Sequence, residues 1–390
     1  MGADARLRRW PPPALPDLIM LAFTVATQAL APFVPLYARQ LGFDARQIGA
    51  LLSLPGLAAM AASLVAGAWL ARAGARSVLV GASVVSTAAL LVVWAVPSAV
   101  VLVLVLPAFW AGHPLAAVAC QLTVVAGAPG QARDRAVGMH AFYSALGVSV
   151  GPLVGAAAIR VGGGLGAVFL AAAVVSAAAA VAALRAPPVG RLDVTRGFSI
   201  LRGLGAVPPA ARLGLALVAL GEFCWVSWMT FYPLALRAAG LSLGVIGVVF
   251  AVHGLAQSAL RPAMGWIVAR LGRPRALAAS WALGAAGLWL AVVPGTPLTA
   301  VSAAVVLGVG FGLVFPMTIV LVSLDAEPHA IGRLLAARFF VMMAGGMAGP
   351  AVVGVVAAGT SLPAGLALAA AVATAAGIYA GARARLRGVP

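Results

Sequence analysis

Hydrophobic residues fall into twelve long runs that are separated by short polar breaks. The first six runs lie at about residues 15–37, 48–70, 77–96, 99–125, 137–159 and 165–184, and the second six at about 213–236, 243–268, 276–293, 298–322, 334–358 and 363–380. Each run has close to the ~20 residues that a helix needs to cross a bilayer. Strands of a membrane barrel would be shorter and would alternate. The pattern predicts an all-α polytopic membrane protein with twelve transmembrane helices.

The longest polar break divides these runs into two sets of six. It spans residues 185–212 and contains four prolines and five arginines. Proline-rich, charged segments of this kind are typical of linkers. We therefore expect an N-terminal six-helix bundle at residues 1–184, a cytoplasmic linker at 185–212 and a C-terminal bundle at 213–390.

The basic residues predict the orientation of the chain. All 25 are arginine, and with twelve spans 19 of them fall on the side of both termini, 4 on the other side and 2 inside spans. An excess of basic residues marks the cytoplasmic side. The absence of lysine, together with abundant Ala, Gly and Val, is typical of a GC-rich bacterial genome. We expect a multi-pass protein of the bacterial inner (plasma) membrane, with both termini in the cytoplasm.

The overall composition excludes several classes of protein. The chain is 63% hydrophobic and 8% charged, whereas soluble domains average roughly 45–50% and about 25%. Disorder, a disulfide scaffold and an ordinary soluble enzyme are therefore excluded. The net charge of +17 would suggest nucleic acid on a soluble chain, but the arginines are spread over short loops. We expect the lipid bilayer, and no nucleic acid, as a partner.

The two halves repeat each other at a constant offset of 198 residues. The offset pairs Pro35 with Pro233, Arg39 with Arg237, Gly42 with Gly240, Gly74 with Gly272, Arg135 with Arg333, and Gly151-Pro152 with Gly349-Pro350. Repeats of the same topology are related by an axis along the membrane normal, and a solute site then lies near the midplane between them. The sequence thus predicts two pseudo-symmetric bundles around one site.

Three motifs resemble those of the major facilitator superfamily. Gly67 to Arg76 reads G-A-W-L-A-R-A-G-A-R and is similar to the family pattern G-x-x-x-D-R-x-G-R-R, with a second copy from Gly265 to Arg275. Both copies have Ala in place of the family's Asp, at Ala71 and Ala269. In the fifth span, Gly147-x-x-x-Gly151-Pro152-x-x-Gly155 resembles a motif of the proton-coupled drug-efflux branch, as does Pro32 to Tyr37 at the end of the first span.

The resemblance implies the fold of this family and transport by alternating access. It implies gating and structural roles for the motif residues, while the absent Asp leaves the family's latch open to question. Arg261 is interpreted as a partner of the cytoplasmic gate, with solute binding as the alternative, and Arg338 as a structural residue that could snorkel to the interface. The gating and structural set is Gly67, Arg72, Gly74, Arg76, Gly147, Gly151, Pro152, Gly155, Arg261, Gly265, Arg270, Gly272 and Arg338.

Glu222 is the only carboxylate well inside an apolar run, about ten residues into the seventh. A charge at that depth costs several kcal/mol, and membrane-buried acids often relay protons or pair with cationic solutes. His253, Gln257 and Arg261 share one face of the eighth span at spacings of four, and His253 lies where it could titrate. We predict proton coupling by Glu222 and His253. The alternative for each is a buried, hydrogen-bonded structural side chain.

A further set of residues is predicted to line the solute cavity, because spans one, four, seven and ten do so in the resembled family. Gln257 is added from the polar face of the eighth span. Aromatic and Met side chains beside few polar groups suit an amphipathic organic solute, although each aromatic residue could equally pack the core. The cavity set is Thr24, Gln28, Trp110, His113, Gln121, Trp225, Met229, Gln257, Phe311 and Phe315.

The predicted function is secondary active transport, in the form of proton-coupled efflux of a small organic or drug-like compound. Proton-coupled uptake of a small nutrient, such as a sugar or an organic acid, is the alternative. A membrane sensor fits less well, because it would carry a long soluble extension. The sequence has no zinc-ligand spacing and no phosphate-binding G-x-x-x-x-G-K, so we expect no enzyme, catalytic residue, metal or cofactor. A small-molecule substrate and protons are the expected partners of a monomer.

Overall fold

The computed structural model describes residues 14–127, 131–186, 207–293, 295–324 and 328–386. All regular structure in these ranges is α-helical. The helices are α1 (Leu15–Leu30), α2 (Val34–Gln40), α3 (Ala45–Ala95), α4 (Ala99–Gly127), α5 (Gln131–Gly162), α6 (Ala167–Leu184), α7 (Pro209–Ala238), α8 (Leu243–Ala259), α9 (Met264–Leu271), α10 (Arg273–Val292), α11 (Pro297–Ser323), α12 (Pro328–Gly359) and α13 (Leu362–Leu386).

The helices of the described ranges confirm the predicted all-α membrane fold. Within these ranges, ten helical stretches are long and apolar enough to cross a membrane, and one of them joins α1 and α2 across the turn at Pro32. The pair α8 and α9, bent by 62°, makes an eleventh span when it is taken as one. The first arm of α3, residues 45–73, is a further long helix, which ends at Gly74 with a φ of 77°.

The backbone repeats itself at the offset that the sequence predicts. Gly42 and Gly240 have φ angles of 91° and 84°, and Gly74 and Gly272 have 77° and 74°. These left-handed conformations favour glycine and end one helix before the next begins. The side chains repeat as well, since Arg39 donates to the carbonyl of Phe43 and Arg237 to that of Leu241, each at 3.3 Å.

The predicted linker lies mostly outside the described residues, which resume at Val207. Helix α7 begins at Pro209. We call the end of the bundle next to residues 186 and 207 the linker face, and the opposite end the far face. A recess of about 680 Å³ marks the far face, where Arg39, Asp44, Arg237 and Leu362 come together.

The first half, α1–α6, and the second half, α7–α13, contact each other through α3 with α12 and α5 with α8. Glycine permits this approach. A Cβ at Gly254 would stand 2.9 Å from the backbone of Val148, and the Ser53 hydroxyl donates to the carbonyl of Met347 at 2.7 Å. These contacts lie in the middle and far-face parts of the helices. A separate cavity lies between the halves nearer the linker face.

Candidate functional site

Glu222 lies on α7 and is 7% exposed. Its side chain contacts Gly346 of α12, where an added Cβ would stand 3.0 Å from the Glu222 Cγ. The absence of a side chain at Gly346 therefore leaves room for the carboxyl group. Arg338, also on α12, is close enough for its charge to act on Glu222. An acid and a guanidinium thus share one buried junction of two helices.

The side chain of Arg338 reaches from α12 to the neighbouring helix α11 and is 9% exposed. Its Nε donates to the Thr318 hydroxyl at 3.0 Å, and its Nη2 donates to the Phe315 carbonyl at 3.1 Å. The same carbonyl also accepts from the Thr318 hydroxyl at 2.7 Å. The side chain is therefore directed into the bundle and does not snorkel to the interface. Helices α7, α11 and α12 meet around this charge.

His253, the second predicted proton-coupling residue, is 1% exposed, and both of its ring nitrogens have partners. Nε2 accepts from the Trp225 indole at 3.2 Å, and Nδ1 lies 3.3 Å from the Ala304 carbonyl. An indole only donates and a carbonyl only accepts, so these contacts define a neutral ring with its proton on Nδ1. The Trp228 ring packs 4.6 Å away. The arrangement favours the structural alternative for His253.

A second buried charge pair occupies the first half, and sequence reasoning missed it. Nδ1 of His140 on α5 lies 3.1 Å from Oδ1 of Asp17 on α1, with exposures of 6% and 4%. The other Asp17 oxygen accepts from the backbone of Ala14 at 3.0 Å, at the start of α1. The sequence pattern does not single out Asp17, because this residue lies at the edge of the first apolar run.

The two pairs correspond loosely under the internal repeat. His140 lies 198 residues before Arg338, and each is on the fifth span of its half. Each acid is on the first span of its half, although Thr24, not Asp17, is the counterpart of Glu222. Comparing position 140 with position 338 at the known offset would have singled out His140. Each half thus has a buried nitrogen-bearing side chain on its fifth span and a buried acid on its first.

A cavity of about 330 Å³ lies between the halves, nearer the linker face. Its lining comprises Met20, Gln121, Val124, His140, Ala141, Ser144 and Arg261. Gln121 comes from the predicted cavity set and Arg261 from the predicted gating set. The other lining residues, His140 and Ser144 among them, were not predicted.

Several predicted cavity residues instead contact neighbouring helices. A Cβ at Gly147 would stand 2.7 Å from the Cβ of Thr24, and one at Gly151 would stand 2.5 Å from that of Gln28. The Thr24 hydroxyl also donates to the Met20 carbonyl at 2.9 Å. These two polar residues thus lie on the surface of α1 that packs against α5.

The predicted aromatic residues form two groups. Phe311 is fully buried, with its ring 5.9 Å from that of Trp281 and 6.0 Å from that of Phe315. Phe315 reaches Trp225 at 6.4 Å, whereas Trp110 packs on Phe109 at 5.3 Å, in the first half. Among the remaining members of the set, Met229 and Gln257 are buried, and His113 is half-buried.

The glycine motif of α5 lies at two helix contacts. Gly147, Gly151 and Gly155 all approach α1. A Cβ added at Gly247 of α8 would stand 3.0 Å from the carbonyl oxygen of Pro152. In the other motif, Arg72 and Arg76 are exposed, and Gly265 has open space around it. Arg270 stacks on the Trp266 ring at 4.8 Å. The surroundings of Gly67 lie outside the described residues.

Chemically, the junction around Glu222 can hold or release a proton, and the cavity can hold a small polar solute. Within the described ranges, no group of three or more His, Cys, Asp or Glu side chains could hold a metal ion. Two repeated sets of six passes, contacting each other around a cavity, are the architecture of a polytopic membrane transport protein.

Comparison with known proteins identifies the family. The sequence model of the Major Facilitator Superfamily matches residues 18–350 and, in a second match, residues 213–389. The chain belongs to this superfamily of membrane transporters. No curated protein sequence matches it significantly.

Solved structures share the fold at low sequence identity. A crystal structure of the nucleoside transporter NupG superposes with a TM-score of 0.77 at 16% identity, covering 95% of this chain and 98% of that one. A bacterial homolog of the human lysosomal transporter Spinster, in an inward-facing and occupied conformation, superposes with a TM-score of 0.75 at 14% identity, covering 95% of each chain. At these identities the likeness concerns the fold.

Proposed function

We propose that the protein is a monomeric, proton-coupled exporter of a small organic compound, and that Glu222 is its proton-carrying group. The observation that carries this proposal is the burial of Glu222 beside Arg338 and Gly346, at the junction of α7 and α12. Membership of the Major Facilitator Superfamily supports transport itself.

The physical argument concerns the cost of a buried charge. An ionised carboxylate in the apolar interior is tolerated when a cation lies near it, and it takes up a proton when that cation moves away. Arg338 is fixed to α11 through Thr318 and Phe315. A shift of α7 relative to α11 and α12 would therefore change the charge state of Glu222. In this way proton binding is linked to the conformation of the second half.

We assign the linker face to the cytoplasm because the arginines predict it. The cavity near Arg261 then lies toward the cytoplasmic side, while the contacts of α3 with α12 close the bundle farther out. His253 is assigned a structural role, which is to orient Trp225. The division into an N-terminal bundle, a linker and a C-terminal bundle gives the two bodies that rock against each other.

Export is favoured by the Gly147 to Gly155 motif, which resembles that of the efflux branch. The test is an accumulation assay in an efflux-deficient bacterial host, with ethidium, tetracycline and salicylate as probes. We expect cells that contain the protein to hold less of at least one probe than cells that contain Glu222→Gln at the same expression level. Higher content with the wild-type protein would instead indicate uptake. Equal content of every probe would contradict transport of this class.

A further inference from the structure

The cavity between the halves is lined by more positive than negative groups. Its described lining includes Arg261 from the second half and His140 from the first, together with Gln121 and Ser144. No carboxylate is among the described lining residues. Among the described residues, the acid that contacts this lining is Asp17, and its Oδ1 is hydrogen-bonded to the Nδ1 of His140 at 3.1 Å.

The local sequence explains why Arg261 is available to a ligand. Pro262 lacks an amide hydrogen, and the chain turns between α8 and α9 with a bend of 62°. Arg261 stands at this bend with an exposed side chain that lines the cavity. A guanidinium presents paired donors that match the two oxygens of a carboxylate.

His140 contributes a second polar group to the lining of the cavity. Because its Nδ1 contacts Asp17 at 3.1 Å, Nε2 is the ring nitrogen left for a polar atom of a ligand.

We infer that this cavity binds a small organic carboxylate, held by the guanidinium of Arg261. At about 330 Å³, the cavity falls within the range of small-ligand sites. Gln121 and Ser144 supply hydrogen bonds for the polar atoms that remain. The inference names the solute class of the proposed transporter. It rests on the proposed function only for the claim that the bound carboxylate is also transported. Binding itself does not depend on Glu222.

The test is thermal unfolding of the purified full-length protein in a neutral detergent. The probes are benzoate, salicylate and octanoate, the corresponding amides, and benzylamine. We expect a carboxylate to raise the melting temperature, and the amides and benzylamine to leave it unchanged. Equal stabilisation by an amide, or no stabilisation by any carboxylate, would overturn the inference.

Variants locate the site. Arg261→Gln should weaken carboxylate binding by about tenfold or more, because a charge-assisted hydrogen bond is lost, and Arg261→Lys should recover part of it. Arg270→Gln is the matched control, since Arg270 stacks on Trp266 and does not line the cavity. Unchanged binding by a folded Arg261→Gln protein would overturn the assignment.

Two more measurements distinguish the carboxylate site from a lipid-binding site and from the proton-coupling group. Stabilisation by phosphatidylglycerol vesicles, with none by any carboxylate, would make the cavity a lipid-headgroup site and would overturn the solute assignment. Glu222→Gln should bind carboxylates like the wild-type protein. If it does so and still performs proton-driven transport, the proposed function fails while this inference stands. If Glu222→Gln abolishes proton-driven transport and no carboxylate binds, the inference fails alone.

Discussion

At the scale of single residues, two pairs of buried polar side chains link helices within the two halves. Glu222 interacts with Arg338 and Asp17 with His140. A buried ion pair is not necessarily stabilising, but removing one partner leaves an uncompensated charge. These four residues are therefore the positions where a substitution that keeps the volume should still have a large effect.

We predict that Arg338→Gln lowers the stability of the purified protein by about 1–3 kcal/mol, because the buried Thr318 hydroxyl and Phe315 carbonyl lose a charged donor and Glu222 loses a nearby cation. The double variant Glu222→Gln/Arg338→Gln should recover part of this loss, since it leaves no buried charge. Unfolding of both proteins in detergent measures the difference. A double variant no more stable than Arg338→Gln would show that the two side chains do not interact.

At the scale of helices, the twelve apolar runs predict the elements well because a spanning helix needs a long run of apolar residues, whatever packs against it. The run that starts near residue 243 continues to 268, yet the structure divides it into α8 and α9 at Pro262. Pro262 has no amide hydrogen and therefore interrupts the backbone hydrogen bonding of the helix at this point.

The faces of the helices are harder to predict than their lengths. Helical periodicity groups Thr24 with Gln28, but it does not say whether that surface meets a cavity or another helix. The structure places both against the glycines of α5. The pairing of Asp17 with His140 likewise depends on how α1 docks on α5, over 123 positions of sequence. Such tertiary contacts leave no local signal in the sequence.

We predict that Gly151→Ala destabilises the protein by about 1–3 kcal/mol, the usual cost of overpacking. The added Cβ would stand 2.5 Å from the Cβ of Gln28 and 2.8 Å from the Val25 carbonyl. Gly265→Ala is the control, because nothing lies within 4 Å of that position. Melting temperatures of the two variants provide the comparison. Equal effects would contradict the close packing of α1 on α5.

At the scale of the whole molecule, the proposed transport cycle requires the contact between α3 and α12 to open. The contact is close enough for a cross-link, because a Cβ at Gly56 would stand 3.3 Å from the Cβ of Met347, near the separation in a disulfide. The native Cys120 and Cys224 are both buried. We predict that oxidised Gly56→Cys/Met347→Cys does not transport and that reduction restores transport.

The control cross-link joins two helices of the same half. A Cβ at Gly365 on α13 would stand 3.0 Å from that of Ala357 on α12, so oxidised Gly365→Cys/Ala357→Cys should remain active. Probe accumulation in cells treated with oxidant and then with reductant measures both variants. Undiminished transport by the variant that is cross-linked between the halves would contradict the rocking of one half against the other.

The coupling of protons to transport through Glu222 is tested most directly in proteoliposomes with a solute that the accumulation assay identifies. The measurement compares exchange of labelled solute without a pH gradient and its accumulation when a gradient is imposed, for the wild-type protein and Glu222→Gln. We predict that Glu222→Gln exchanges solute at close to the wild-type rate but does not accumulate it in response to the gradient. Full gradient-driven accumulation by Glu222→Gln would contradict the account.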